Sequence, residues 1–123
     1  MVKEILVVDD EADTLKSIKE LMGKECFEVA CVSSGEECIE KVKEKKYDLI
    51  LIDIYMPGMS GEELFKVLRG TINHLTPLMY ITIKPRAEVD LTDVDGFIQK
   101  PFENRELVRQ VKMAIKNFKV SKK

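Results

Sequence analysis

The segment formed by residues 49–58 constrains the fold more than any other part of the sequence. Four consecutive apolar residues, Leu49 to Ile52, run directly into the carboxylate of Asp53, and Pro57-Gly58 ends regular structure soon afterwards. A short apolar run without alternation predicts a strand that is buried on both faces. Asp53 is therefore expected at the carboxyl end of a central strand, where open α/β sheets bind their ligands.

The rest of the chain alternates strand patterns with helical patterns. Residues 4–8, 27–32, 49–52, 78–83 and 96–99 are apolar runs that predict five strands. Apolar residues at helical spacing follow the first, second, third and last of these runs. Two of the predicted helices begin with Ser-Gly-Glu-Glu capping boxes, at Ser34 and at Ser60. This order predicts an α/β fold, a flavodoxin-like doubly wound parallel sheet with strand order 2-1-3-4-5.

The connection between the fourth and fifth strands is unusually short. Only residues 83–95 separate Thr82 from Gly96, and Pro85 breaks any helix near its start. Residues 89–94 leave room for roughly one to two helical turns, with Leu91 and Val94 as the obvious apolar anchors. The expectation is a shortened or irregular fourth helix.

Length and charge favour one ordinary globular domain. The 123 residues predict a single domain over 1–123, with a core from 3 to 118 and a polar tail from 119 to 123. A net charge of −2 gives no reason to expect direct contact with nucleic acid, and no apolar run reaches the roughly 20 residues of a membrane span. The first residues enter a strand pattern without a signal peptide, which favours the cytoplasm.

Polar residues from four predicted strand ends meet at one edge of this sheet. The first strand ends at Asp9 and Asp10, the third at Asp53, the fourth at Thr82 and the fifth at Lys100. Two carboxylates about 4 Å apart repel by roughly 4 kcal/mol at an effective dielectric of about 20, so raised pKa values or a bound cation must offset the repulsion. Carboxylate oxygens suit Mg²⁺, and an aspartate can attack phosphorus to form an aspartyl phosphate. Lys100 and the Thr82 hydroxyl can then stabilise phosphoryl oxygens.

These residues resemble a known signature. Val7-Val8-Asp9-Asp10, Asp53-x-x-Met56-Pro57-Gly58, Thr82 and Lys100-Pro101 are similar, in order and spacing over residues 3–118, to the receiver domain of two-component response regulators. The resemblance implies that Asp53 is the phosphoacceptor. It also implies a Mg²⁺ site in which Asp10 is a direct ligand, Asp9 acts through water, and the backbone carbonyl of Tyr55 completes the set with Asp53.

The same resemblance implies a switch. Thr82 is the switch hydroxyl, Phe97 the switch aromatic and Lys100 the partner of the phosphoryl group, and the Lys100-Pro101 bond is cis. Phosphorylation of Asp53 draws Thr82 toward the phosphoryl group, and Phe97 rotates inward. The implied partners are a sensor histidine kinase or phosphotransfer protein and a downstream protein. The chain is expected to be a stand-alone monomer or weak dimer that catalyses only its own phosphorylation and dephosphorylation.

Three features depart from the family pattern. The short fourth helix calls into question the usual signalling face, which the fourth helix, the fifth strand and the last helix form together. Ile83 stands where the family has a small residue, so it is expected to hinder phosphodonors and water. Tyr55 and Lys84 occupy two rim positions that tune the phosphoryl lifetime, and we expect slow self-hydrolysis.

Two other functions stay open at this point. One is a receiver-like interaction module that no longer switches, which the short fourth helix would explain. The other is a Mg²⁺-dependent aspartyl phosphohydrolase of the haloacid dehalogenase type, although Asp9-Asp10-Glu11-Ala12 does not match the DxDx(T/V) pattern of those enzymes.

Overall fold

A computed structural model describes residues 2–72 and 76–118; the predicted polar tail at 119–123 lies outside the described residues. The strands are β1 (Glu4–Val8), β2 (Glu28–Val32), β3 (Leu49–Ile52), β4 (Leu78–Thr82) and β5 (Gly96–Gln99). The α-helices are α1 (Ala12–Lys24), α2 (Gly35–Glu44), α3 (Gly61–Ile72) and α4 (Asn104–Asn117). None of the helices within these two ranges combines the length and apolar character that a bilayer crossing requires.

The five strands form one parallel sheet with the order β2-β1-β3-β4-β5. This confirms the predicted flavodoxin-like topology. β3 and β4 are buried along their whole length, as expected for strands covered on both faces. One core lies between the sheet and the helices α2 and α3, and the other lies between the sheet and the helices α1 and α4.

The predicted capping box at Ser60 is complete, while at Ser34 the return hydrogen bond comes from the preceding residue, Ser33. At the start of α2, the Glu37 N–H donates to Ser34 Oγ (3.2 Å), while Glu37 Oε1 accepts from the Ser33 N–H (3.1 Å). At the start of α3, the Glu63 N–H donates to Ser60 Oγ (3.1 Å), and the Ser60 N–H donates to Glu63 Oε1 (3.0 Å). These bonds satisfy N–H groups that the first helical turn leaves without partners, and they fix where each helix begins.

The β4–β5 connection, residues 83–95, contains a single 3-10 turn at Arg86–Glu88. The predicted shortening is therefore confirmed, but the predicted location at residues 89–94 was wrong. The turn begins directly after Pro85, whose φ of −59° already suits a helical start. Arg69 of α3 holds the far end of the connection, because its guanidinium donates to the Asp93 carbonyl (2.7 Å) and pairs with Asp95 Oδ2 (2.8 Å).

The start of α3 packs directly on the backbone that follows β3. The Gly61 N–H donates to the Ile54 carbonyl (2.9 Å). A Cβ on residue 61 would lie 2.7 Å from Ile54 Cα and closer still to the Asp53 carbonyl oxygen, well inside ordinary contact distance. Only glycine allows α3 to approach the end of β3 this closely.

We expect Gly61→Ala to lower the free energy of unfolding by about 2 kcal/mol, since the backbone on both sides must move to make room. The matched control is Gly70→Ala on the same helix, where a Cβ would meet nothing within 4 Å. That variant should gain roughly 0.5–1 kcal/mol from helix propensity. Urea unfolding of both variants measures the difference, and similar effects of the two substitutions would contradict the packing argument.

Candidate functional site

Backbone hydrogen bonds carry the sheet ladder one residue past each strand end and so place the site residues. The Asp53 N–H donates to the Val8 carbonyl (3.0 Å), and the Lys100 N–H donates to the Thr82 carbonyl (2.8 Å). The four strand ends thus meet at one edge of the sheet, as the strand order requires. The position of each residue follows from the parallel register rather than from a flexible loop.

Three carboxylates converge at this edge. Oxygens of Asp9, Asp10 and Asp53 all lie within 4.8 Å of one another. Asp9 is fully buried and Asp53 nearly so, whereas Asp10 is exposed. An all-oxygen set with one side open to solvent fits a hard cation such as Mg²⁺, which keeps several waters and needs only one or two carboxylates. The donor set is therefore chemically suited to the predicted ion.

Tyr55 lies against this cluster through its backbone. Its N–H donates to Asp53 Oδ1 (3.2 Å), while its side chain is about half exposed (49%) at the rim. The contact holds residue 55 beside the Asp53 carboxylate. The part of its carbonyl in metal binding stays a prediction.

Lys100 joins two of the three carboxylates. Its ammonium donates to Asp9 Oδ2 (2.8 Å) and to Asp53 Oδ2 (3.2 Å), and its side chain is only 12% exposed. A third carboxylate, that of Glu11, lies 3.7 Å from the same nitrogen. The Lys100-Pro101 bond is cis, as predicted. Glu11 was missed from the sequence, because an exposed acid after a strand end gives no sign of its partner.

Burial and charge act on the pKa values at this site. Burial raises the pKa of Asp53 above its usual value, the neighbouring Asp9 charge adds to the effect, and Lys100 opposes it. Burial alone would lower the pKa of Lys100, but the hydrogen bond to Asp9 and the charges of both aspartates outweigh burial and raise it. Lys100 therefore stays protonated as an ammonium. Further positive charge near Asp53 would lower the pKa of this carboxyl group and stabilise its ionised form.

The two predicted switch residues are buried. Thr82 is fully buried, and its Oγ1 accepts a hydrogen bond from the Lys84 N–H (3.2 Å). Phe97 is 8% exposed, and the Arg86 guanidinium lies 5.5 Å from its ring centroid. The Phe97 ring is thus already covered in this structure. The switch roles of Thr82 and Phe97 stay predictions.

The rim of the site carries two further features. Ile83 is 61% exposed and lines a cavity of about 490 Å³ together with Lys100, Pro101 and residues at the start of α1. Lys84 forms an ion pair with Glu62 of α3 (3.2 Å). Glu62 was missed from the sequence, since a contact across 22 residues leaves no local pattern.

Comparisons with known proteins agree with this geometry. The family model for the response regulator receiver domain matches residues 5–112. The DNA-binding response regulator MtrA of Mycobacterium tuberculosis is 32% identical over 124 residues, which cover 94% of this chain and 52% of MtrA. The transcriptional regulatory protein ResD of Bacillus subtilis is 35% identical over 117 residues, covering 92% of this chain and 48% of ResD. The chain spans about half the length of these curated relatives.

Solved structures give the same result. The response regulator protein TrrA from Thermotoga maritima, in complex with Mg²⁺-BeF, is 32% identical with a TM-score of 0.84, covering 92% of this chain and 99% of TrrA. The chemotaxis protein CheY4 of Vibrio cholerae shares the fold with a TM-score of 0.85 at 23% identity, covering 93% of this chain and 99% of CheY4. Nothing in these comparisons favours a phosphohydrolase. Since the family match extends through every strand of the sheet, the chain belongs to the receiver domain family of response regulators, the phosphorylation switches of two-component signalling.

Proposed function

We propose that Asp53 accepts a phosphoryl group from a sensor histidine kinase, a phosphotransfer protein or a small phosphodonor in a Mg²⁺-dependent reaction. A carboxylate oxygen of Asp53 bonds to phosphorus while the bond from phosphorus to the donor's leaving atom breaks, and that atom departs with the electron pair. Water later attacks the phosphorus of the aspartyl phosphate, which releases inorganic phosphate and restores the carboxylate. The chain thereby catalyses only its own phosphorylation and dephosphorylation.

The observation that carries this proposal is the Lys100 ammonium shared between Asp9 and Asp53. It lies 3.2 Å from an Asp53 oxygen and is therefore placed to pair with a phosphoryl group attached there. Asp9, fully buried, fixes that ammonium before a donor arrives. Such pre-oriented charge is what phosphoryl transfer requires most.

Asp9, Asp10 and Asp53, with the Tyr55 backbone carbonyl, are the residues that would hold Mg²⁺. When bound, the ion supplies positive charge that neutralises the phosphoryl oxygens during transfer. The Thr82 hydroxyl, on the adjacent strand, donates to a phosphoryl oxygen in this proposal. Its reorientation breaks the hydrogen bond from the Lys84 N–H and transmits the change to the β4–β5 connection and to Phe97.

The proposed partners are an upstream kinase or phosphotransfer protein and a downstream protein of unknown identity. Two of the relatives carry DNA-binding or transcriptional names, but this chain covers only about half of each of them. We propose that residues 1–123 themselves contact neither nucleic acid nor membrane, and that they act in the cytoplasm as a monomer or weak dimer. A net charge of −2 is consistent with this proposal.

The first test is intact mass after incubation with acetyl phosphate and MgCl₂. The wild-type chain and a Glu20→Gln control, an exposed carboxylate-to-amide change on α1, should each gain one phosphoryl group. Asp53→Asn should gain none, and neither should the wild type in EDTA. A gain that persists in Asp53→Asn would contradict the assignment of the acceptor. Lack of a gain in both the wild type and Ile83→Ala would contradict phosphoacceptor function itself.

The exposed Ile83 side chain at the rim is expected to slow the approach of water. Ile83→Ala should therefore shorten the half-life of the phosphorylated chain severalfold, measured by the decay of the phosphorylated mass after the donor is removed. Val67→Ala on α3, another truncation of an exposed branched apolar side chain, serves as the control and should leave the half-life unchanged. Equal half-lives for the wild type and Ile83→Ala would exclude a steric role for Ile83.

The ammonium of Lys100 is also expected to stabilise the fold. Lys100→Met leaves two buried carboxylates without their shared cation and should lower the free energy of unfolding in EDTA by roughly 3 kcal/mol. Addition of MgCl₂ should recover part of that loss. The control, Lys43→Met, breaks an ion pair with Glu40 whose side chains are 60% and 70% exposed, and it should change little. If both variants unfolded alike in EDTA, Lys100 would have no such role.

A further inference from the structure

A second polar cavity lies outside the phosphoacceptor site, between α3 and the β4–β5 connection. It has a volume of about 390 Å³ and is lined by Glu62, Phe65 and Lys66 of α3, by Tyr80 of β4, and by Asp90 and Asp93 of the connection. We refer to it as the α3 cleft. Its size falls within the roughly 300–1,000 Å³ of small-ligand pockets. It is open because an irregular segment, rather than a helix, packs beside α3.

Tyr80 places an unpaired polar group in the α3 cleft. The residue is 3% exposed, and its ring packs against Phe65 with centroids 5.5 Å apart. No hydrogen bond joins its hydroxyl to another group within residues 2–72 and 76–118, and the hydroxyl is not among the buried polar atoms that lack a partner, so it is reached from the cleft. Burial, with the charges of Glu62 and Asp90, raises the pKa of this hydroxyl, so it stays protonated at neutral pH. A ligand group in the cleft would satisfy it.

The charge of the α3 cleft is negative. Three carboxylates line it against one ammonium, that of Lys66, while Lys84 pairs with Glu62 from outside the lining (3.2 Å). Hydrogen bonds from Thr92 lower the pKa of Asp90, which keeps that exposed carboxylate ionised. These carboxylates are not gathered for a metal ion. In the described part of the chain, only Asp9, Asp10 and Asp53 bring three ligand oxygens within 4.8 Å.

We propose that the α3 cleft binds an arginine side chain of a protein partner. A guanidinium offers five N–H donors in a plane, so it reaches carboxylates that are spread apart, donates to the Tyr80 oxygen and stacks on aromatic rings. The same combination already occurs beside the cleft, where the Arg69 guanidinium lies 5.1 Å from the Phe65 ring centroid and pairs with Asp95 (2.8 Å). This proposal does not depend on phosphorylation of Asp53.

The test is an NMR titration of the ¹⁵N-labelled chain with the peptide Ac-Gly-Arg-Gly-NH₂. Excess MgCl₂ is present, so that the Asp9–Asp10–Asp53 cluster does not compete for the guanidinium. Saturable shifts are expected for the amides of residues 62–66, 80 and 90–93. Ac-Gly-Glu-Gly-NH₂, the control, should not move them. Shifts that never saturate, that occur equally with the acidic peptide, or that centre on residues 9–13 and 53 would overturn the proposal.

Four variants test whether binding depends on the residues of the cleft. Tyr80→Phe removes only the hydroxyl, and Asp90→Asn removes one charge; each should weaken binding at least about fivefold, the effect of a single lost hydrogen bond. Lys66→Gln should strengthen binding. Glu20→Gln, which changes the net charge as Asp90→Asn does but lies on α1, should leave it unchanged. Wild-type affinity in both Tyr80→Phe and Asp90→Asn would overturn the proposal, and thermal melts confirm that each variant is folded.

Discussion

The ion pairs between one ammonium and two buried carboxylates are the interactions on which the rest of this structure depends. The parallel sheet places Asp9 and Asp53 at the same edge, where water cannot screen their repulsion well. The Lys100 ammonium, 2.8 Å from one carboxylate and 3.2 Å from the other, offsets that repulsion. Because Asp9 holds the ammonium in place, positive charge faces the Asp53 carboxylate. The same ammonium would therefore serve both the stability of this edge and the proposed phosphoryl transfer to Asp53.

A short chain of contacts joins the proposed phosphoacceptor site to the α3 cleft. The Lys84 N–H donates to Thr82 Oγ1 (3.2 Å), and the Lys84 ammonium pairs with Glu62 (3.2 Å), which lines the cleft. Movement of the Thr82 hydroxyl would change the first contact and, through the same residue, the second. Coupling between two sites is reciprocal, so a cation bound in the cleft would in turn alter the equilibrium at Thr82. Both effects would pass through Lys84.

Sequence patterns predicted what depends on local periodicity. The buried run ending at Asp53, the capping boxes at Ser34 and Ser60 and the parallel strand order all follow from spacing within one element or between neighbours. They did not predict Arg86 over Phe97 or the Lys84–Glu62 pair. Such contacts depend on the path of an irregular segment, and that path has no periodic pattern in the sequence. For the same reason the 3-10 turn after Pro85 was placed several residues too late.

The β4–β5 connection contributes to the core without forming an α-helix. Val89 is buried, and Leu91 and Val94 pack against the same core as Tyr80 and Phe97, whereas Asp90, Thr92 and Asp93 turn outward. The hydrogen bond from the Val94 N–H to the Leu91 carbonyl (3.2 Å) closes a turn, so the connection covers the sheet here without a helix. These three apolar side chains lie in the same core as the β3 residue that precedes Asp53. On the outer side of the connection, Asp90 and Asp93 line the α3 cleft together with Tyr80. The irregular connection thus shapes the surface beside α3 while its apolar side chains stay in the core.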